Sequence, residues 1–189
     1  MRVRNCAKAD FASATEFAFL PIACGLAALA CTTTLDPSVV TGGDGEPLTT
    51  CELFRSSSSE YLACPEPLTN DAAAVDCSQR DAALADVESQ TENALIAARS
   101  ESVLTGDWWL GGTRDDELVW RWPSGVVFWR GDADGMPEPG AFSVWRPGEP
   151  NNESTTSLDP ERCLALTVWD DWNDRACSLR LPYVCERAP

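Results

Sequence analysis

Five side chains able to offer oxygen, Glu149, Asn151, Glu161, Asn173 and Asp174, fall in two polar stretches of this sequence. The first runs from Gly148-Glu149-Pro150-Asn151 to Asp159-Pro160-Glu161-Arg162-Cys163, and the second is Trp172-Asn173-Asp174, followed closely by Cys177. Carboxylates and amide carbonyls gathered on two loops form the donor set of a hard cation, and calcium takes about six to eight such oxygens in flexible geometry. These five, with a backbone carbonyl at Asp174, leave room for about one or two oxygens from outside. Through that opening a ligand can enter.

The chain has no histidine. That removes the commonest general base and zinc ligand, and with it Ser–His and Cys–His nucleophile pairs. A metal bound here must be held by oxygen, which points to calcium rather than a transition metal. Asp171 and Asp174 have the residue types of a glycosidase pair. A catalytic acid needs a raised pKa in a partly dry cleft, whereas these carboxylates serve better on a cation that lowers their pKa. The expectation is a binding protein and not an enzyme.

Composition narrows the partners. Lys and Arg number 14 against 30 Asp and Glu, for a formal net charge of -16. A field of that sign repels phosphate backbones, so nucleic acid is excluded as a partner. A hydrophobic fraction of 44% with eight tryptophans is enough to build a real core, and 189 residues hold one ordinary domain plus a tail.

The elements that must position the five residues follow from periodicity and turn residues. Thr69 or Asn70 can cap a helix running through Ala72, Ala73, Val75, Cys77 and Ala83. A second helix is expected over Thr91 to Ser100, with Leu95 and Ile96 facing inward. Beyond residue 105, short apolar runs alternate with turn residues, and strands are expected at Trp108–Leu110, Val119–Trp122, Val126–Trp129, Cys163–Trp169 and Pro182–Cys185. Helices followed by strands with long loops make the fold class α+β. The tryptophans at 109, 120, 122 and 145 read as core packing rather than sugar platforms.

The N-terminus carries its own signals. Arg2, Arg4 and Lys8 precede an apolar run, Phe17 to Ala30, of signal-peptide length and too short to span a bilayer. It ends in Ala28-Leu29-Ala30-Cys31, which satisfies small-x-small cleavage and also resembles a bacterial lipobox with Cys31 as the lipidated residue. Residues 1–30 are therefore expected to be a signal peptide and 31–50, rich in Thr, Gly and Pro, a flexible linker. Residues 51–189 form the domain. The chain is expected to be exported, as a lipid-anchored envelope protein or a secreted one. Of nine cysteines, Cys51, Cys64, Cys77, Cys163, Cys177 and Cys185 remain in the domain. In an exported protein they read as three disulfides, with counting alone leaving the pairing open.

Over about Cys51 to Arg187 the chain resembles the C-type lectin family. Trp109-Leu110-Gly111-Gly112 looks like its core motif, and Glu149-Pro150-Asn151 and Trp172-Asn173-Asp174 match two further motifs as they stand. The resemblance implies a C-type-lectin-like fold with two helices flanking small antiparallel sheets, a long calcium-binding loop region and a cis Glu149–Pro150 bond. It pairs Cys77 with Cys185, Cys163 with Cys177, and Cys51 with Cys64. It assigns Glu149, Asn151, Glu161, Asn173 and Asp174 to calcium, and the first four also to a sugar whose neighbouring hydroxyls ligate the ion. The Glu/Asn order implies mannose, glucose, N-acetylglucosamine or fucose. A non-sugar member of the fold, binding a protein or serving an envelope structure, is the other expectation. Arg162 stands where calcium-rich members carry an acid and Asn152 where they often carry aspartate, so the auxiliary calcium site is expected to be absent, with Glu117 a remnant. The 128–141 stretch is an insertion expected near the binding face.

Overall fold

The computed structural model describes residues 50–153 and 159–189. The proposed signal peptide, Cys31 and the linker as far as residue 49 lie outside the described residues.

The domain opens with an antiparallel hairpin, β1 (Glu52–Arg55) and β2 (Glu60–Leu68). Cys51–Cys64 closes it at its base. This pair carries no strand signal in the sequence, because Pro65 and Pro67 lie inside β2. Both lie past the stretch of β2 that β1 pairs with, and the β2–β10 register shifts between Leu181↔Leu68 and Tyr183↔Cys64 to accommodate them.

Helix α1 (Asn70–Gln79) starts where expected, with the Thr69 hydroxyl accepting the Ala72 N–H. It stops short of Ala83. The Arg80 N–H turns back to the Cys77 carbonyl, and Asp81 takes a left-handed φ of 55°. Ala83 and Leu84 instead form β3, paired with β10 (Leu181–Arg187). Helix α2 (Gln90–Val103) is capped by Ser89 and buries Asn93, Ile96, Ala97 and Ser100.

The remaining strands are β4 (Trp108–Arg114), β5 (Val119–Arg121), β6 (Val127–Arg130), β7 (Met136–Pro137), β8 (Glu161–Leu166) and β9 (Trp172–Ala176). They join one connected network in the order β1-β2-β10-β4-β5-β6-β7, with β8 bridging β4 to β9. Among the described residues the named strands pair antiparallel except β10 with β4, where Tyr183 pairs with Trp109, and Trp145 makes a lone parallel bridge to Trp172 of β9. Strand β8 ends at Leu166 rather than Trp169, because Thr167 and Asp171 close a turn with Asp170 at φ 65°. Residues 172–176, read as loop, return as β9 in register Leu164↔Asp174 and Ala165↔Asn173.

The core is aromatic. Trp108, Trp109, Trp120, Trp122 and Trp172 are buried, and Trp145 packs against them. Trp172 meets Trp122 edge-on at 5.5 Å, Phe142 at 5.5 Å and Trp145 at 5.9 Å. Each such pair adds about 0.5–1.5 kcal/mol beyond its buried area, so the residue preceding Asn173-Asp174 is firmly fixed. Cys77–Cys185 ties α1 to β10 across 108 residues, and Cys163–Cys177 ties β8 to the segment after β9.

Candidate metal centre

Two segments separated in sequence meet through Trp172. Its N–H donates to the Val144 carbonyl at 2.9 Å, and its carbonyl accepts the Arg146 N–H at 2.9 Å. Just after this contact the chain reverses over Arg146-Pro147-Gly148-Glu149, where the Glu149 N–H returns to the Arg146 carbonyl at 2.9 Å. Pro147 at the second position and Gly148 at φ 93° at the third are the residues a type II turn demands. The Glu149–Pro150 bond that follows is cis.

Asp174 then clamps the loop to β9. Its Oδ1 accepts the Asn151 N–H at 3.1 Å and its Oδ2 the Asn152 N–H at 2.8 Å, and the residue is fully buried. The Asn152 side chain in turn accepts the Glu161 N–H at 2.9 Å, so the first strand residue of β8 is drawn to the same place. Asn151 Oδ1 accepts the Glu153 N–H at 2.7 Å. The loop and β9 therefore converge around one carboxylate.

That convergence concentrates negative charge. Burial raises the Glu149 pKa most, followed by the charge and hydrogen bonding of Asp174 and the charge of Glu161, against a weaker pull from Arg175, to about 7. Glu161 is also raised, first by burial and then by Asp174. Arg175, the cation whose charge opposes both shifts, is shared with Asp107 at 2.7 Å. Glu149 and Glu161 thus each feel the charge of Asp174 with Arg175 only partly available to balance it, while the three carboxylates stand too far apart for all three to bring oxygens within 4.8 Å of one another.

Two buried oxygens here have no hydrogen-bond partner: Glu149 Oε2 and Asn173 Oδ1. Asn173 is only 7% exposed, and a buried acceptor left without a donor is costly. Orphaned acceptors beside these carboxylates fit a hard cation, which satisfies the oxygens and favours the ionised acids.

Other residues singled out in the sequence lie elsewhere. Asp171 is engaged by the Thr167 hydroxyl within the β8–β9 turn. Arg162 reaches Asp116 at 2.6 Å, a built-in cation at the position where an acid was noted as missing, while Glu117 is exposed. One structural support went unread. Asn93, fully buried on α2, accepts the Trp172 indole N–H at 2.8 Å and donates to the Asp170 carbonyl at 2.7 Å. Its only sequence signal is an amide set among the apolar positions of a helix.

The match to known proteins agrees with this architecture. Residues 66–187 match the model of the family described as Lectin C-type domain. The chain belongs to the C-type lectin family. Mouse C-type lectin domain family 4 member F is 32% identical over 113 residues, 59% of this chain and 18% of that protein, so the chain spans less than a fifth of that relative. The cow C-type carbohydrate-recognition domain of CD23, solved in the presence of a GlcNAc2Man3 oligosaccharide, superposes with TM-score 0.60 at 22% identity, covering 75% of this chain and 98% of that one. A calcium-independent type II antifreeze protein superposes with TM-score 0.56 at 21% identity, covering 72% and 91%. These superpositions establish the fold of this lectin domain. Domains of this family are generally carbohydrate-binding and non-enzymatic, and typically extracellular or secreted.

Proposed function

We propose that this lectin domain binds sugars through calcium, with Glu149, Asn151, Glu161, Asn173 and Asp174 holding the ion. The observation that carries the reading is the pair of orphaned acceptor oxygens on Glu149 and Asn173, beside glutamates that feel the charge of Asp174. When bound, calcium supplies coordination positions for two neighbouring sugar hydroxyls. The chain's own side chains complete the contact. The amide N–H groups of Asn151 and Asn173 donate to the free lone pairs of those hydroxyls, and Glu149 and Glu161 accept the hydroxyl protons. The Glu149/Asn151 order fits the vicinal equatorial hydroxyls of mannose, glucose or N-acetylglucosamine and their equivalents in fucose.

The fold alone does not choose this function, because superposable proteins include one titled a carbohydrate-recognition domain and one titled a calcium-independent antifreeze protein. The donor set is what supports the calcium-dependent reading. We further propose that residues 51–189 are the functional unit, displayed outside the cytoplasm by a signal peptide over 1–30 and a lipid on Cys31. Lipid anchoring would place many weak sites on one membrane surface, and multivalency would supply the avidity.

Retention on a mannose resin in calcium, with release by a chelator, is the expected behaviour. Glu149→Gln combined with Asn151→Asp should move retention toward galactose, and an unchanged sugar preference would remove this loop from the binding site. Capture of a protein ligand that persists in chelator, with no sugar retention, would identify a non-sugar module instead.

A further inference from the structure

Next to Asn151 lies a cleft of about 460 Å³, bounded by Asn151 and the turn Gly131-Asp132-Ala133-Asp134-Gly135. It is a shallow depression open to solvent, able to take one further sugar residue along the surface rather than enclose a ligand. The turn joins β6 to β7 at the tip of the insertion, and the structure holds it firmly. The buried Arg114 donates to Asp132 at 3.0 Å, the Trp129 indole N–H reaches the Gly131 carbonyl at 3.1 Å, and the Gly135 N–H closes on the Asp132 carbonyl at 2.8 Å. Gly135 has no room for a side chain, since a Cβ there would lie 2.3 Å from the Arg130 carbonyl. Asp134, by contrast, is exposed, and its carboxylate makes no hydrogen bond or ion pair among the described residues.

We propose that this pre-formed turn is a second sugar subsite and that Asp134 determines its specificity. This rests on the reading of Asn151 as a sugar contact: a glycan whose terminal unit sits there extends its next residue into the cleft. The side chains offered to that residue are Asp134, Asp132 and the amide of Asn151, and no cationic side chain lines the cleft. Asp132 is already held by Arg114, so Asp134 is the free acceptor. A free carboxylate accepts hydroxyl or ammonium protons and repels a second anion. The subsite therefore takes neutral or amino-bearing sugars and rejects uronic, sialic, sulfated or phosphorylated ones.

The experiment uses the oxidised full chain in calcium, with methyl α-mannoside, a mannobiose, and a disaccharide of terminal mannose on glucuronic acid as probes. Wild type should bind mannobiose about three- to tenfold more tightly than methyl α-mannoside, the contribution of one charge-assisted hydrogen bond at an exposed site. Asp134→Ala should abolish that advantage, and Asp134→Arg should reverse the order so that the uronate-bearing disaccharide is preferred, more so at low salt. Both variants should leave methyl α-mannoside affinity and calcium affinity unchanged. Calcium-dependent binding of the monosaccharide with disaccharide ratios untouched by either variant would overturn the subsite alone. Failure of wild type to bind methyl α-mannoside in calcium would overturn the parent reading and the subsite with it.

Discussion

Replacing Asp174 with asparagine separates the structural and ion-binding roles of this carboxylate. In the wild type both carboxylate oxygens accept backbone N–H groups, from Asn151 at 3.1 Å and Asn152 at 2.8 Å. The amide keeps one acceptor and turns a donor toward the other N–H, so one bond to a buried charged group is lost, a cost of about 1.5–3 kcal/mol. Part of this is offset because the carboxylate charge that raises Glu149 and Glu161 disappears. The net loss in chelator should be about 1–2 kcal/mol, or about 3–10 °C in Tm for a domain of this size. Calcium changes the comparison. Extracellular calcium modules bind with a Kd of about 10⁻⁴–10⁻³ M, so about 10 mM calcium should stabilise the wild type by about 1.4–2.7 kcal/mol. That amounts to about 4–13 °C. Asp174→Asn should show no calcium increment at all. Thermal unfolding followed by tryptophan fluorescence, with chelator and with calcium, reads both effects. A variant that keeps the wild-type calcium increment would refute the assignment of Asp174 as a ligand, and one as stable as wild type in chelator would refute its role as a clamp.

Three further outcomes are expected. Because Glu149 is raised from 4.5 to about 7 in the folded chain, its contribution to calcium-free stability is fully present below pH 4.5 and is lost as pH rises toward about 7. Calcium must displace that proton, so its affinity should be about tenfold lower at pH 6 than at pH 8; calorimetry should find an affinity that rises with pH, and a flat profile would contradict the raised pKa. Asn93→Leu leaves the buried Trp172 indole N–H without its acceptor and should cost about 2–4 kcal/mol in urea unfolding while weakening calcium binding; unaltered calcium affinity would show that α2 does not steady β9. Replacing Cys77 and Cys185 together by alanine removes a cross-link spanning 108 residues and should cost about 4–5 kcal/mol in the chain-entropy account, so a loss under about 1 kcal/mol would contradict it.

The meeting of the 149–152 loop with β9 was legible in the sequence because the residue types of the two segments and their spacing to Cys163 and Cys177 constrain one another. The start of α1 at Thr69 or Asn70 was legible because capping chemistry is local, and Thr69 is the residue that caps it. What escaped was decided by tertiary pairing. Trp172-Asn173-Asp174-Arg175-Ala176 has poor strand propensity, yet it forms β9 because the ladder with β8 and the aromatic packing of Trp172 outweigh local preference. Prolines hid β2, and Ala83 followed helical periodicity until β10 recruited it. The clamp by Asp174 and the support from Asn93 join residues 22 and 79 positions apart, so no local pattern announces them.

Calorimetric titration of calcium into the oxidised protein at about pH 8, followed by methyl α-mannoside, addresses the central proposal most directly. One ion per chain should bind with a Kd of about 10⁻⁴–10⁻³ M, and the sugar should give heat only once the ion is present. Absence of calcium heat, or sugar binding that is equal in chelator, would contradict it.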